Sequence, residues 1–496
     1  MSKNCTWTYE ECVAKYPPTE KAPFKISADR KKVFDIKKSI EGSLIIPVGV
    51  EEVEFDRYGN CYENLTAVIL PDTVKEISGT IKNMCAKRLE CVRFSAGMDS
   101  LYNLVWLKDI KYVIIPEGIK YLEYEAISGI KTEICLPDSI EYIFPKAFNS
   151  CEFDKITIPS GVKAIFPSAF NNCPKLKDVI VTSPDTVIME GAFNDCPAIK
   201  DMEESLYKEY GLGSRIIGED EVRYSEDGTV LEDVPCYYCG PLKIKDGAIK
   251  YSSSPAWSLG ITELSLPDSW DYYIPAVPNM KKLSLPKIYK YSDDLRIRSS
   301  ELEEINQIPE NITKLTIEKT KIQSLNLADT KIETLRIERS DNLLSIDLPK
   351  TLKKIYLENL DQLKSIHLPE GVTVCELTYL PITSLELPSS LKTIRLWNLD
   401  KIKEVAVPEN VTKLIIREMK SLTGFNIPQK LEVIEEEAFK WNDRLEKIYI
   451  PNTVTKIEAN AFANCANLEN IEIQGKPKPK ISKSAFSNCP GWPIKK

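Results

Sequence analysis

From Ile312 to Pro428 the apolar positions of this chain recur in a short, regular rhythm. The segments SLNLA, SIDLP, SIHLP, SLELP, EVAVP and GFNIP centre on Asn326, Asp347, His367, Glu386, Ala406 and Asn426, which advance by 21, 20, 19, 20 and 20 residues. Between them run KLTIE, TLRIE, KIYLE, CELT, TIRLW and KLIIR, centred on Thr316, Arg336, Tyr356, Glu376, Arg395 and Ile415, again 19 or 20 residues apart. Each triplet reads apolar, polar, apolar, which is the period of a β-strand and not of a helix. The flanking side chains then point inward and the middle one outward. A proline closes most segments of the first series. It lacks an N–H and biases the residue before it toward extended geometry, so it marks a corner where the chain leaves the sheet. A coil of about twenty residues cannot bury its own apolar face; the pattern predicts a stack of coils with neighbouring strands about 4.8 Å apart.

Toward both ends the repeat lengthens to 22 or 23 residues and changes character. LPDSIEYIFPKAFNSC, IPSGVKAIFPSAFNNC and EGAFNDC lie in the first half; IEEEAFKWNDRLEKIYIP, IPNTVTKIEANAFANC and ISKSAFSNC close the chain. The added A-F-x-x-C segment predicts a helical turn on the outer side of the coil. Ala147, Ala169, Ala192, Ala461 and Ala485 fall where space is tight, and Phe148, Phe170, Phe193, Phe462 and Phe486 plug the core. The pattern I-P-x-x-V-x-x-I-x-x-x-A-F-x-x-C-x-x-L resembles the BspA-like leucine-rich repeats of bacteria and some protozoa, over roughly residues 44–200 and 260–490. On that resemblance Cys151, Cys173, Cys196, Cys465 and Cys489 take the Asn/Cys slot of a leucine-rich repeat. The central stretch lacks A-F-x-x-C, which predicts a flatter, strand-like outer side there. VRYSEDGTVLEDVP, at 222–235, resembles a hairpin that such proteins insert between repeat blocks, with Asp227–Gly228 as its turn.

The expected architecture is therefore a repeat solenoid, mainly β with short helical turns, of the BspA-like leucine-rich repeat type. Residues 1–43 read as an N-terminal cap over the first sheet edge, because bare edges invite aggregation. Residues 44–200 form a first repeat block. Residues 201–258 are an irregular insertion with a short helix at MEESLYKEY and the hairpin. Residues 259–496 form a second block ending in a cap, where KPKPK at 476–480 interrupts the last turn and GWPIKK frays.

Composition narrows the function. The chain has 496 residues, beyond the reach of one compact core, and with 43% apolar and 28% charged residues it is neither disordered nor membrane-like. Lys and Arg are scattered through a chain of net charge −8, without the one-sided basic patch that nucleic acid requires. Apolar runs reach about five residues where a bilayer span needs about twenty, so no transmembrane segment is expected. A single histidine, His367, disfavours most hydrolase and zinc-enzyme chemistries. It lies in a strand segment with no nucleophile beside it. Cys236 and Cys239 form a C-x-x-C between Pro235 and Gly240–Pro241, a loop setting unlike the helix start that activates a redox thiol, and no second C-x-x-C stands at zinc-binding spacing. The acids Glu435–Glu436–Glu437 fit a helix start better than a glycosidase pair. No catalytic residue, metal or cofactor is expected.

The best candidate surface is the outward column Thr316, Arg336, Tyr356, Glu376, Arg395 and Ile415, with Trp397 and Tyr379 close by. Arginine and aromatic side chains are the commonest anchors of protein interfaces. The function expected is non-enzymatic recognition of a protein, or of a glycan. The resemblance implies surface adhesion or host interaction at a bacterial cell surface or in secretion. The start of the chain has no apolar leader, which implies either a cytoplasmic location, hence an intracellular scaffold as the alternative, or a leader removed before this numbering begins. A β-solenoid enzyme acting on polysaccharide is a second alternative.

Overall fold

The structure is a computed structural model; it describes residues 7–492 apart from 20–22, 56–61, 79–87, 103–109, 213–215, 253–257 and 259. The chain divides into two compact units, residues 1–217 and 218–496. Each is a stack of coils whose strands pair in parallel with those one coil away, so the fold is the β-solenoid that the twenty-residue rhythm predicts.

The first unit opens with an antiparallel hairpin, Lys25–Ile26 against Lys32–Phe34, and its second arm begins a parallel sheet with Glu52–Glu54 and Glu76–Ser78. A second parallel sheet stacks Gly42–Ile45, Leu65–Ile69, Cys91–Arg93 and Tyr112–Ile114. Inward side chains Leu44, Val68, Val92 and Val113 join the solenoid core. The outward side is also covered, by helix α1, Tyr9–Lys15. A capping box starts this helix: the Glu11 N–H donates to the Thr8 hydroxyl oxygen and the Thr8 N–H to the Glu11 carboxylate. The hairpin 25–34 thus borders the first edge of one parallel sheet, and helix α1 lies on the face of the other. At the other end, helix α2, Lys200–Tyr210, buries Leu206 and sets Tyr207 6.3 Å from Phe193, the last ring of the phenylalanine stack.

The second unit opens with a hairpin of the same build, Arg223–Tyr224 against Val230–Asp233, whose second arm pairs in parallel with Lys250–Tyr251. The two turns use the same side-chain clasp. Ser27 and Ser225 donate to the carboxylates of Asp29 and Asp227, and the N–H groups of Lys31 and Thr229 donate to the same oxygens. From there one continuous core runs from Leu231 to Cys489. Its most regular part is a seven-stranded parallel sheet: Asp294–Arg298, Lys314–Glu318, Thr334–Glu338, Lys354–Glu358, Val374–Thr378, Thr393–Trp397 and Lys413–Arg417. The second series of segments forms much less sheet. Ser324–Asn326 pairs with Ser345–Asp347, and Glu404–Val405 with Gly424–Phe425, while the segments around His367 and Glu386 are irregular.

The A-F-x-x-C segment is not helical. In two coils it carries a two-residue strand, Phe148–Asn149 pairing with Phe170–Asn171, and elsewhere it is a turn. The cause is in the backbone. Left-handed residues stand before the alanine and again four residues on: Lys146 and Ser150, Ser168 and Asn172, Asn460 and Asn464. A right-handed helix cannot pass through positive φ. For the same reason Glu435–Glu436–Glu437 leads into a turn, with Glu437 at φ 56°, and not into a helix. The buried slots themselves match the pattern. The five phenylalanines, five alanines and five cysteines are all nearly or fully buried, and rings one coil apart stack at 4.8 Å for Phe148–Phe170 and Phe462–Phe486. In GWPIKK, Trp492 stacks on Phe486 at 4.7 Å and packs against the core, while 493–496 lie outside the described residues.

Candidate recognition surface

The seven strands keep one register without a slip, so Arg296, Thr316, Arg336, Tyr356, Glu376, Arg395 and Ile415 stand in file across the sheet. Sequence reading placed six of these; Arg296 is the member it missed, and the alternation of DLRIR was the available signal. The column is held outward because its neighbours on each strand, such as Leu335 and Ile337, are fully buried. Trp397 belongs to a second outward file, at the last position of each strand, with Glu338, Glu358 and Arg417. Tyr379 occupies the turn after the strand 374–378, and its N–H donates to the Trp397 carbonyl at 3.0 Å.

Along these files the charges are paired and the rings supported. The Arg336 guanidinium lies 4.4 Å from the Tyr356 ring centroid and bridges to Glu338 at 2.8 Å. Arg395 pairs with Glu376 one coil away. The Arg417 guanidinium sits 5.7 Å from the Trp397 ring and 3.3 Å from the Glu437 carboxylate. These pairs are partly exposed and add little stability. What they do is hold long side chains in one arrangement on a rigid scaffold, which lowers the ordering cost of binding. Tyr379 is 44% exposed and Trp397 39%, so both offer ring faces to solvent.

The other candidates do not assemble into a reaction centre. Glu435 bridges to Lys413 at 2.8 Å and Glu437 to Lys440 at 2.6 Å. The Lys440 hydrogen bond and the charges of Lys440 and Arg417 hold the Glu437 carboxyl below its usual range. A glycosidase acid needs the opposite shift. A hollow of about 400 Å³ nearby is lined by Glu436, Lys456, Glu458 and Lys480, with Lys456 and Glu458 bridged at 2.6 Å. Cys236 is exposed and Cys239 is buried, and no disulfide joins them. Burial pushes the Cys239 thiol up to about 12, away from the thiolate that redox chemistry requires. His367 is exposed on an irregular segment. Among the described residues no group of His, Cys, Asp and Glu is placed to hold a metal ion, and no helix is long and apolar enough to cross a membrane.

No curated protein matches the sequence. Among solved structures the chain is similar to a leucine-rich repeat protein of Bacteroides ovatus, at 16% identity over 92% of this chain and 98% of that one, with a TM-score of 0.28. It is also similar to a leucine-rich cell surface protein of Faecalibacterium prausnitzii, at 17% identity over 94% and 95%, with a TM-score of 0.20. A third is YopM of Yersinia enterocolitica, at 13% identity over 86% and 97%, with a TM-score of 0.28. The repeat pattern itself is decisive: the profile of the BspA type leucine rich repeat region matches in six copies, over residues 30–133, 106–206, 293–395, 330–415 and 416–492. With most of its length so matched, the chain belongs to the BspA-type leucine-rich repeat family.

Proposed function

We propose that this is a non-enzymatic recognition protein that binds a protein partner across the outer face of the 294–417 sheet, in surface adhesion or host interaction. The contact residues are Thr316, Arg336, Tyr356, Glu376, Arg395, Trp397 and Ile415. One observation carries the reading: seven strands in unbroken register present guanidinium and aromatic groups already fixed against one another. Such groups are the usual hot spots of protein interfaces, each worth about 2 kcal/mol or more when truncated at the centre of a contact. Leucine-rich repeat proteins as a class bind protein partners, which favours a protein over a glycan as the occupant.

The test replaces Arg336, Tyr356 and Arg395 together by alanine. All three are surface positions, so the coil core is untouched and the circular dichroism spectrum stays that of the parent. Immobilised parent and variant are exposed to the same native and host extracts and to a glycan array. The variant is expected to lose affinity for the captured protein by about two orders of magnitude or more. Equal capture by both chains rejects this face. Binding confined to the array, and lost in the variant, would make the occupant a glycan.

A further inference from the structure

Helix α1 occupies the outward face of the sheet 42–45, 65–69, 91–93 and 112–114, and two thiols meet beneath it. Cys12 on the helix and Cys91 on the strand are fully buried in one cluster with Ala67, Ile69 and Ile114, framed by Trp7, Tyr9 and Tyr112. Around the pair the helix is held by apolar packing and by polar contacts. The Tyr9 hydroxyl donates to the Ile46 carbonyl at 2.7 Å, the buried Arg93 donates through Nε to the Trp7 carbonyl at 3.3 Å, and the Lys15 ammonium lies 3.8 Å from the Trp7 ring and 4.3 Å from Tyr112.

What sets this pair apart from the other buried cysteines is that Cys12 lies on a helix outside the coils. Cys151, Cys173, Cys196, Cys465 and Cys489 donate their thiols to backbone carbonyls such as Phe148 and Phe439, inside continuous stacks. Helix α1 has seven residues and lies outside the coils. A helix that short does not persist alone, so it is the part of the unit that can lift and return. The neighbouring Cys91 thiol, with the charges of Arg93 and Lys15, holds the Cys12 thiol below its usual range, while the Cys12 thiol and burial push Cys91 above it.

We propose that Cys12 and Cys91 are an oxidisable pair whose closure to a disulfide fixes α1 over the sheet, with a small-molecule disulfide as the oxidant. With α1 lifted, the Cys12 thiolate attacks one sulfur of the oxidant. The oxidant's S–S bond breaks, its second sulfur leaves as a thiolate, and a mixed disulfide forms on Cys12. As α1 returns, Cys91 gives its proton to solvent and displaces the remaining small thiolate. Two protein thiols are oxidised, and one small disulfide is reduced to two thiols. The closed form covers Ala67, Ile69 and Ile114; reduction frees the helix to leave that apolar face open. This proposal is independent of the recognition reading of the 294–417 sheet.

The test uses the full chain equilibrated in reduced or oxidised glutathione, followed by peptide mapping and hydrogen exchange. A peptide linking Cys12 to Cys91 is expected in the oxidised sample only, with the α1 amides exchanging about tenfold more slowly or more than in the reduced one. A Cys12→Ser chain should show the same α1 exchange in both conditions. Free Cys12 and Cys91 in a folded, oxidised chain would overturn the proposal. So would a linked pair that leaves α1 exchange unchanged, or slowing on oxidation in the Cys12→Ser chain.

Discussion

At Asn442 a single residue does the work that a cysteine does in the other A-F-x-x-C coils. Its side-chain N–H groups donate to the carbonyls of Ile416 at 2.7 Å and Phe439 at 2.9 Å, and its oxygen accepts from the Met419 N–H at 3.1 Å. Cys465, one coil on, donates its thiol weakly to the Phe439 carbonyl at 3.3 Å. Removing Asn442 would strand the Ile416 carbonyl and the Met419 N–H, whereas removing the Cys465 thiol leaves the Phe439 carbonyl its bond from Asn442. Asn442→Ala should cost about 2–4 kcal/mol and Cys465→Ala no more than about 1.5. Urea midpoints on the two variants check the order, and equal losses would show the asparagine bonds to be idle. Phe170 lies between Phe148 at 4.8 Å and Phe193 at 5.3 Å, so Phe170→Ala opens a cavity in the middle of a ring stack and should cost about 3–5 kcal/mol by the same measurement. The phenylalanine slots were legible in the sequence because one chemistry recurs at one spacing. Asn442 stands in the same Asn/Cys slot, in A-F-K-W-N, but its three hydrogen bonds were not legible there.

At the scale of elements, the period-two strands were legible and the turns between them were not. Each strand of the 294–417 sheet after the first ends in a left-handed residue: Lys319, Arg339, Asn359, Tyr379, Asn398 and Glu418. Only asparagine hints at positive φ; lysine, arginine, tyrosine and glutamate conceal it. The same blindness produced the expectation of helical turns at A-F-x-x-C. Lys319→Gly should therefore stabilise the second unit by about 0.5–1 kcal/mol, and Lys319→Val should destabilise it by about 1–2, both read from urea midpoints. The opening hairpins make a pH prediction. Hydrogen bonds from the Ser225 hydroxyl and from the Thr229 N–H and hydroxyl hold the Asp227 carboxyl down to about 2, and the Ser27 hydroxyl and Lys31 N–H lower Asp29 in the same way. A depressed carboxyl stabilises the fold above its unfolded value, about 3.9, and that contribution is lost as pH falls through the folded value. The second hairpin should thus keep its Thr229 and Val230 amide protection at pH 4 and lose it toward pH 2, following the Asp227 carboxyl. A carboxyl titration centred near 3.9 would contradict the clasp. Of the two hairpins only 222–235 stood out in the sequence, because Asp227–Gly228 signals a turn; ISADRKKVF puts Arg30 at φ 60° where glycine would have announced it.

At the scale of the molecule, what matters is that a coil is an exchangeable layer. Leu360 and Leu380 occupy the same buried place in successive coils, and strands 354–358, 374–378 and 393–397 share one register. Removing residues 360–379 joins Asn359 to Leu380, replaces leucine by leucine, and brings Lys354–Glu358 against Thr393–Trp397. Every remaining coil keeps a partner on each side, so only one coil and one interface are lost. The shortened chain should fold with the parent's circular dichroism per residue and a modestly lower urea midpoint. Removing residues 360–369 instead leaves half a coil, with inward leucines set against outward positions, and no folded second unit should form. If both deletions were equally harmful, the unit would be a single cooperative body and not a stack. The covered face of the first sheet was hidden from sequence reading for the same reason that makes coils exchangeable: contacts run between distant layers, and nothing local in Trp7 or Tyr9 says which layer they meet. A stack built this way carries its stability in the buried faces and leaves its outward columns free to vary, which is why those columns are the place to look for recognition.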